Sequence, residues 1–247
     1  MKRALLFSGG ENPKKNKPRY LNNLSAFYKV LRQHSYNKNE IVVCSATGGE
    51  HDFDDDNTDE TYTRGDRRQL TEHLRWLAST TKGDTIVFVA SNHGNENGIF
   101  LWGTDFVTPQ EMNETFRYCE ATKIFIFGQC NSGIFGLGLK LSDTVVCCAC
   151  GEGESSHPIE LPREKKKRQK SQAIAEPPYD EFLFHMIGAL SGRYPHVSAL
   201  PEQPPPPSKA HTIYKAFDFA RRAVCSIGAE TPLFFPEDQD WAKQIPL

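Results

Sequence analysis

The 247-residue chain is long enough for one sizeable domain or two small ones. Its 38% hydrophobic and 24% charged residues fit a soluble globular protein, and a formal net charge of −2 argues against nucleic acid or an acidic membrane as partner. No stretch approaches the roughly 20 apolar residues of a membrane span, and the apolar run in MKRALLFSGG is too short for a signal-peptide core.

Lys2 to Ser8 reads instead as a first strand, ending in Gly9-Gly10. After the polar loop Glu11 to Pro18, Leu21, Leu24, Tyr28 and Leu31 recur at helical spacing, which predicts an amphipathic helix over Tyr20 to His34. Glu40 to Cys44 is a second strand, and Thr47 to Gly65 is a long acidic loop centred on HDFDDDNTDE. Asp66 can cap the next helix, where Leu70, Leu74 and Leu77 share a face. A third strand runs through TIVFVASNHG (Thr85 to Gly94) and ends at His93. Gly98 to Trp102 reads as a short strand in an excursion. Thr108, Pro109 and Glu111 give three helix-start signals in a row: an N-cap, Pro at the first position and a capping-box Glu. That helix turns Met112 and Phe116 inward.

The fourth strand is Ile124 to Phe127, inside KIFIFGQCNSG (Lys123 to Gly133). A short glycine-rich segment leads to a fifth strand at Asp143 to Ala149. Gly151 to Ala175 reads as loop and contains the basic run Arg163 to Lys170. Tyr179 to Ser191 is a strongly apolar helix ended by Gly192. Residues 194–209 are a proline-rich surface connector, stiff and extended at its PPPP run. Thr212 to Cys225 is a helix with Ile213, Phe217, Ala220 and Val224 on one face, and Leu233 to Phe235 supplies a sixth strand. Strand and helix alternate without an internal repeat. The expectation is a single α/β domain over residues 1–247 with a mostly parallel, about six-stranded sheet.

The seven cysteines are odd in number, and several lie in apolar runs. Without a signal peptide, this predicts reduced thiols in a cytoplasmic protein rather than a disulfide framework. Cys147, Cys148 and Cys150 sit in a strand-like run with no CxxC partner elsewhere, so they read as small buried hydrophobes and not as metal ligands.

Cys130 stands apart. It follows a buried strand, between Gly128 and Gly133, where open α/β sheets place their chemistry. His93 follows the preceding strand in the same way. Two neighbouring strands that deliver these residues to one edge would form a nucleophile and its base. The backbone N–H groups of Gly94 and Cys130 are the candidate oxyanion donors. Among the other histidines, His73 is expected to face water and His185 to be a satisfied core residue, while His157 is the rival base.

A hydrophobic run ending in His-Gly, followed by one ending in Cys-x-x-Gly, resembles the caspase-like cysteine peptidases: caspases, metacaspases, legumains, gingipains and separases. The chain looks most like the legumain branch. The segments Thr108 to Gly133 and GEGESSH (Gly151 to His157) carry that likeness, which covers roughly Lys2 to Gly192. The resemblance implies a three-layer α/β/α sandwich and a cysteine endopeptidase that needs no cofactor. It also implies a substrate pocket lined by Arg19, Gln129, Ser155 or Ser156, and Asp180. An Arg and an Asp in one pocket would suit a neutral hydrogen-bonding side chain such as Asn. Legumains carry an acidic residue two positions before the nucleophile; here that position is Gly128. The acidic loop could bind calcium, as in some metacaspases, but it lacks the spacing and central glycine of an EF-hand loop, and no metal ligand is assigned.

The expected partners are a protein or peptide substrate and a regulatory protein, with neither nucleic acid nor membrane involved. Bacterial relatives suggest a stress or defence setting. Two other classes stand beside this one. A glutamine amidotransferase-like amidase would take its base from His157, His185 or His196. A non-catalytic caspase-like subunit would leave Cys130 unreactive.

Overall fold

A computed structural model describes residues 1–160, 176–198, 204–205, 207–228 and 230–247. Its elements in chain order are β1 (Lys2–Ser8), α1 (Pro18–Gln33), β2 (Ile41–Ser45), β3 (Gly49–His51), β4 (Glu60–Tyr62), α2 (Arg67–Ala78) and β5 (Thr85–Ala90). There follow β6 (Ile99–Phe100), β7 (Phe106–Val107), α3 (Pro109–Phe116), β8 (Thr122–Phe127) and α4 (Gly133–Gly138). The last are β9 (Thr144–Cys148), α5 (Glu181–Ser191), α6 (Ile213–Ile227) and β10 (Leu233–Phe235). The central sheet has six strands in the order β10-β9-β8-β5-β1-β2; all pair in parallel except β10, which runs antiparallel to β9.

Both faces of this sheet are covered, which is why its strands read as near-continuous apolar runs. Alternation then assigns each residue to a layer. Ala4, Leu6, Val87, Val89, Ile124, Ile126, Val145 and Cys147 share a core with Leu24 and Phe27 of α1, Leu183 and Met186 of α5, and Phe217 and Ala220 of α6. Leu5, Phe7, Ile86, Phe88, Phe125, Phe127, Val146 and Cys148 pack on the other face against Leu70 and Leu74 of α2, Met112 and Phe116 of α3, and Phe135 of α4. The handedness of parallel crossovers accounts for the split. The chain steps from β1 to β2 in one direction through α1, then returns past β1 to β5, β8 and β9 through α2, α3 and α4. Reversing direction puts the helices on the opposite face. The reversal also opens a crevice at the C-terminal ends of β1 and β5.

The predicted caps are present. The Asp66 carboxylate accepts the Gln69 N–H at 3.1 Å, and Thr108 and Glu111 form a reciprocal capping box. Several expectations need correction. The third strand stops at Ala90, three residues short of His93. The acidic loop holds the β3–β4 hairpin, and the excursion after His93 is a second hairpin, β6–β7. The segment after Cys130 is a short helix, α4. His73 is half buried and bonds the Thr63 hydroxyl at 2.8 Å. The basic run Arg163 to Lys170 and part of the proline-rich connector lie outside the described residues.

The acidic loop is neutralised from within the chain. Lys38 Nζ lies 2.6 Å from Asp56, 2.5 Å from Glu60 and 3.3 Å from Asp54, and Arg32 and Lys29 reach Asp54 and Asp55. Asp52, Asp54 and Glu60 come close enough to share a cation, yet the Lys38 ammonium already contacts two of them. No described helix is long and apolar enough to cross a membrane, and all seven cysteines are free thiols.

Candidate active site

The register of β5 and β8 brings the candidate dyad together. Ala90 pairs with Phe127 across the parallel ladder, and His93 and Cys130 each follow three residues later at the C-terminal edge. Their loops interlock at Gly94. A Cβ there would fall 2.5 Å from the Cys130 carbonyl oxygen and 2.5 Å from Gln129 Cγ, so only glycine fits. Tyr20, at the start of α1, stands on the other side. Its ring meets the His93 ring edge-on at 5.3 Å, and the Cys130 sulfur adds to the electrostatic field that, after burial, raises its phenol pKa.

His93 is oriented by backbone. Its Nε2 lies 3.0 Å from the Lys15 carbonyl, in the loop between β1 and α1. A carbonyl only accepts, so Nε2 carries the proton and Nδ1 holds the lone pair. Burial lowers the imidazole pKa and the Arg19 charge adds to the effect, while the hydrogen bond to the Lys15 carbonyl opposes it, so the ring is neutral at pH 7. The adjacent Asn92 holds this corner: its Oδ1 accepts the Gly10 N–H at 2.9 Å and its Nδ2 donates to the Phe100 carbonyl.

Cys130 sits on a tight exit from β8. Asn131 takes a left-handed φ of 56°, a conformation Asn tolerates better than most side chains. The turn is tied to the loop after β9. Asn131 N–H donates to the Glu154 carbonyl at 2.9 Å, and the Ser132 hydroxyl accepts the Cys150 N–H at 3.0 Å. The sulfur rests on the backbone edge of Ser156, 3.3 Å from its N and 3.8 Å from its O. Among the described residues, the amides of Gly94 and Cys130 hold no hydrogen bond.

Arg19 and Asp180 meet. Arg19 Nε donates to Asp180 Oδ1 at 2.6 Å, while Asn23 and Ser91 donate to Oδ2 at 2.8 and 3.1 Å. Asp180 occupies the N-cap position of α5 but makes no capping bond, because both its oxygens face these three donors. Burial raises its pKa to about 6, with Arg19 opposing. Arg19 keeps Nη1 and Nη2 free of partners among the described residues, and its side chain is 16% exposed.

Other pocket assignments shift. Gln129 is 1% exposed and buried beneath Gly94, so it does not reach the cleft surface. Ser155 is exposed, and of the two serines it is Ser156 that meets the sulfur. Gly128 faces the α5 layer: a Cβ there would come within 2.5 Å of Leu183 Cδ1, which leaves no room for a pocket side chain. His157 directs its N–H to Glu230 and its ring is half exposed; His185 is fixed between Glu181 and Tyr194, both at 2.9 Å. A groove of about 660 Å³ lies at the opposite end of β9, lined by Leu139, Lys140, Phe235 and Trp241, and bears no thiol or imidazole.

Tyr20, Asn23, Ser91 and Glu230 join the site without a sequence motif to mark them. Asn23 was within reach of sequence reasoning, since it lies one helical turn beyond Arg19 and shares its face. Glu230 has no local signature. In comparison with known proteins, no family model and no curated sequence matches the chain.

Proposed function

We propose that the chain is a caspase-like cysteine endopeptidase that cleaves peptide bonds through Cys130 and His93 by way of an acyl-enzyme. The observation that carries this reading is the strand register that sets both residues three positions past paired strand ends. In the scheme, His93 Nδ1 takes the thiol proton and Cys130 Sγ attacks the peptide carbonyl. The amides of Gly94 and Cys130 hold the oxyanion. The tetrahedral adduct collapses as Nδ1–H protonates the leaving amine, and water, activated by the same nitrogen, releases the thioester. The scheme uses no cofactor.

Asp180 is saturated by its three donors while Arg19 keeps both terminal NH2 groups free, so the pocket favours a side chain that accepts hydrogen bonds, Asn or Asp, over a basic one. We extend the proposal to a cytoplasmic setting and a protein regulator that restrains the enzyme, in a bacterial stress or defence role.

Cleavage of a mixed peptide library by wild type, Cys130→Ala, His93→Ala and His157→Ala tests the dyad. The first two variants should lose at least about 10³-fold in kcat/KM, and the third should cleave normally. Full activity in His93→Ala would transfer the base role elsewhere, as in an amidase. Failure of a thiol-reactive peptide probe to label Cys130 would leave a non-catalytic subunit.

A further inference from the structure

Three side chains around the thiol carry buried polar atoms that no described residue satisfies: both amide atoms of Gln129, the Ser156 hydroxyl and Glu230 Oε2. Glu230 has no part in the scheme above. It lies between α6 and β10, and its side chain is 0% exposed. Its Oε1 accepts the His157 N–H at 2.5 Å. One residue earlier, the Ser156 N–H reaches Cys130 Sγ at 3.3 Å.

The other contacts of this segment explain why one carboxyl matters. The His157 carbonyl accepts from Glu181 N–H, and Ile159 N–H donates to the Tyr179 carbonyl, so residues 157–159 are held along the start of α5. That leaves the His157 amide as the last tether before Ser156, and Glu230 holds it. The next residue pulls the same way: Thr231 N–H donates to Glu154 Oε2 at 3.1 Å, and the Glu154 carbonyl in turn accepts Asn131 N–H beside the nucleophile. The short segment 230–231 thus grips the loop after β9 at two points, Glu154 and His157, on either side of the Ser156 edge.

We propose that Glu230 is a positioning residue for Cys130: it fixes the His157 amide, and through it the Ser156 edge on which the sulfur rests, without touching the sulfur itself. The proposal rests on reading Cys130 as the reactive thiol. An N–H held against the sulfur aims it and meets the charge that develops on it as it reacts, so loosening this edge slows the thiol's chemistry. The groups facing the carboxyl are Cys150, Ser156 and His157 from the loop after β9, and Asp180 and Glu181 from the start of α5. Burial pushes Glu230 up to about 8, with the His157 N–H and the nearby Ser156 side chain opposing and Asp180 and Glu181 adding a smaller push, so at pH 7 it is a neutral acid. Glutamine reproduces that form, with a carbonyl oxygen for His157 and a donor in place of the acid proton.

The test is alkylation of the free protein by iodoacetamide, with Cys130 and the exposed Cys225 followed separately by peptide mass spectrometry. Glu230→Ala should slow labelling of Cys130 by on the order of 10-fold while Cys225 labels as before, and Glu230→Gln should retain at least about a third of the wild-type rate. Where Glu230→Ala fails to fold, Glu230→Asp draws the carboxyl back by one methylene, about 1.5 Å, and takes its place in the comparison. Equal or faster labelling of Cys130 in the folded Ala or Asp variant, or a Gln variant as slow as either, overturns the inference. Wild-type Cys130 that labels no faster than Cys225 overturns the reading of Cys130 as the reactive thiol, and the role of Glu230 with it.

Discussion

Glu230 also makes a prediction about stability that does not depend on catalysis. Its carboxyl is buried, with one oxygen on the His157 amide and the other unpartnered, and its pKa rises from 4.5 to about 8. The sign follows from linkage. Below pH 4.5 the group is protonated both folded and unfolded and has no effect. Between pH 4.5 and 8 the unfolded chain releases the proton while the folded protein keeps it, so stability falls as pH rises, and it levels off above 8. At 1.36 kcal/mol for each pH unit across that window, the loss comes to about 5 kcal/mol at pH 8 and above. Glu230→Gln keeps the acceptor for His157 and removes the titration. Urea unfolding of wild type and variant at pH 5, 6, 7, 8 and 9 should therefore give curves that diverge with pH, the variant gaining most at pH 8–9. A gap that changes by less than about 1 kcal/mol across that range would refute the claim that this carboxyl is held neutral by burial.

Three further changes probe the site and the layer beneath it. Gly94→Ala sets a methyl 2.5 Å from the Cys130 carbonyl oxygen, which is backbone and cannot rotate away; kcat/KM should fall by on the order of 10²-fold, measured by peptide cleavage, with Cys130 displaced. Gly128→Ala meets Leu183 Cδ1 at 2.5 Å and should cost about 1–3 kcal/mol in urea unfolding. Leu183→Ala should relieve that clash in the double variant, and strictly additive losses would show that residue 128 does not press on α5. Arg19→Met leaves the Asp180 carboxylate buried on Asn23 and Ser91 alone; a cost of about 3 kcal/mol is expected, at the low end for a buried pair because Arg19 is partly exposed. The same variant should lose the preference for Asn or Asp in the peptide library.

What the sequence made legible follows a physical pattern. Ile124 to Phe127 and Thr85 to Ala90 are apolar on both faces, so burial announces them whatever their neighbours are. The capping box at Thr108 and Glu111 closes within four residues and needs no tertiary contact. The β3–β4 hairpin escaped because its strands are three residues each, polar, and joined by a loop whose charges are balanced from elsewhere: Lys38, Lys29 and Arg32 supply the cations. Nothing within HDFDDDNTDE reveals that. The third strand ends at Ala90 and not at His93: past the last ladder bond, from Ser91 N–H to the Phe7 carbonyl, the buried side chains of Ser91 and Asn92 serve Asp180 and Gly10, which no local pattern announces.

The same distinction separates the dyad from the specificity around it. His93 and Cys130 can be read from the chain because each is fixed by its own strand, and parallel pairing then converts equal offsets into proximity. Recognition is assembled differently. The Arg19 pocket needs α1, the end of β5 and the cap of α5 together, and the Ser156 edge needs Glu230, which lies 73 residues beyond His157 in sequence. Gly128 shows how a local reading can mislead in the other direction. Compared with legumains it looks like a pocket side chain lost, but the strand alternation turns position 128 toward Leu183 and α5. The missing carboxylate therefore removes nothing from this cleft. The acidic groups that this chain does bring near Cys130 are Asp180, spent on Arg19, and Glu230, kept neutral beneath Ser156. Neither is positioned to attract a basic side chain, and in the peptidase proposed above the exposed donors of Arg19 are what the cleft has left to offer a substrate.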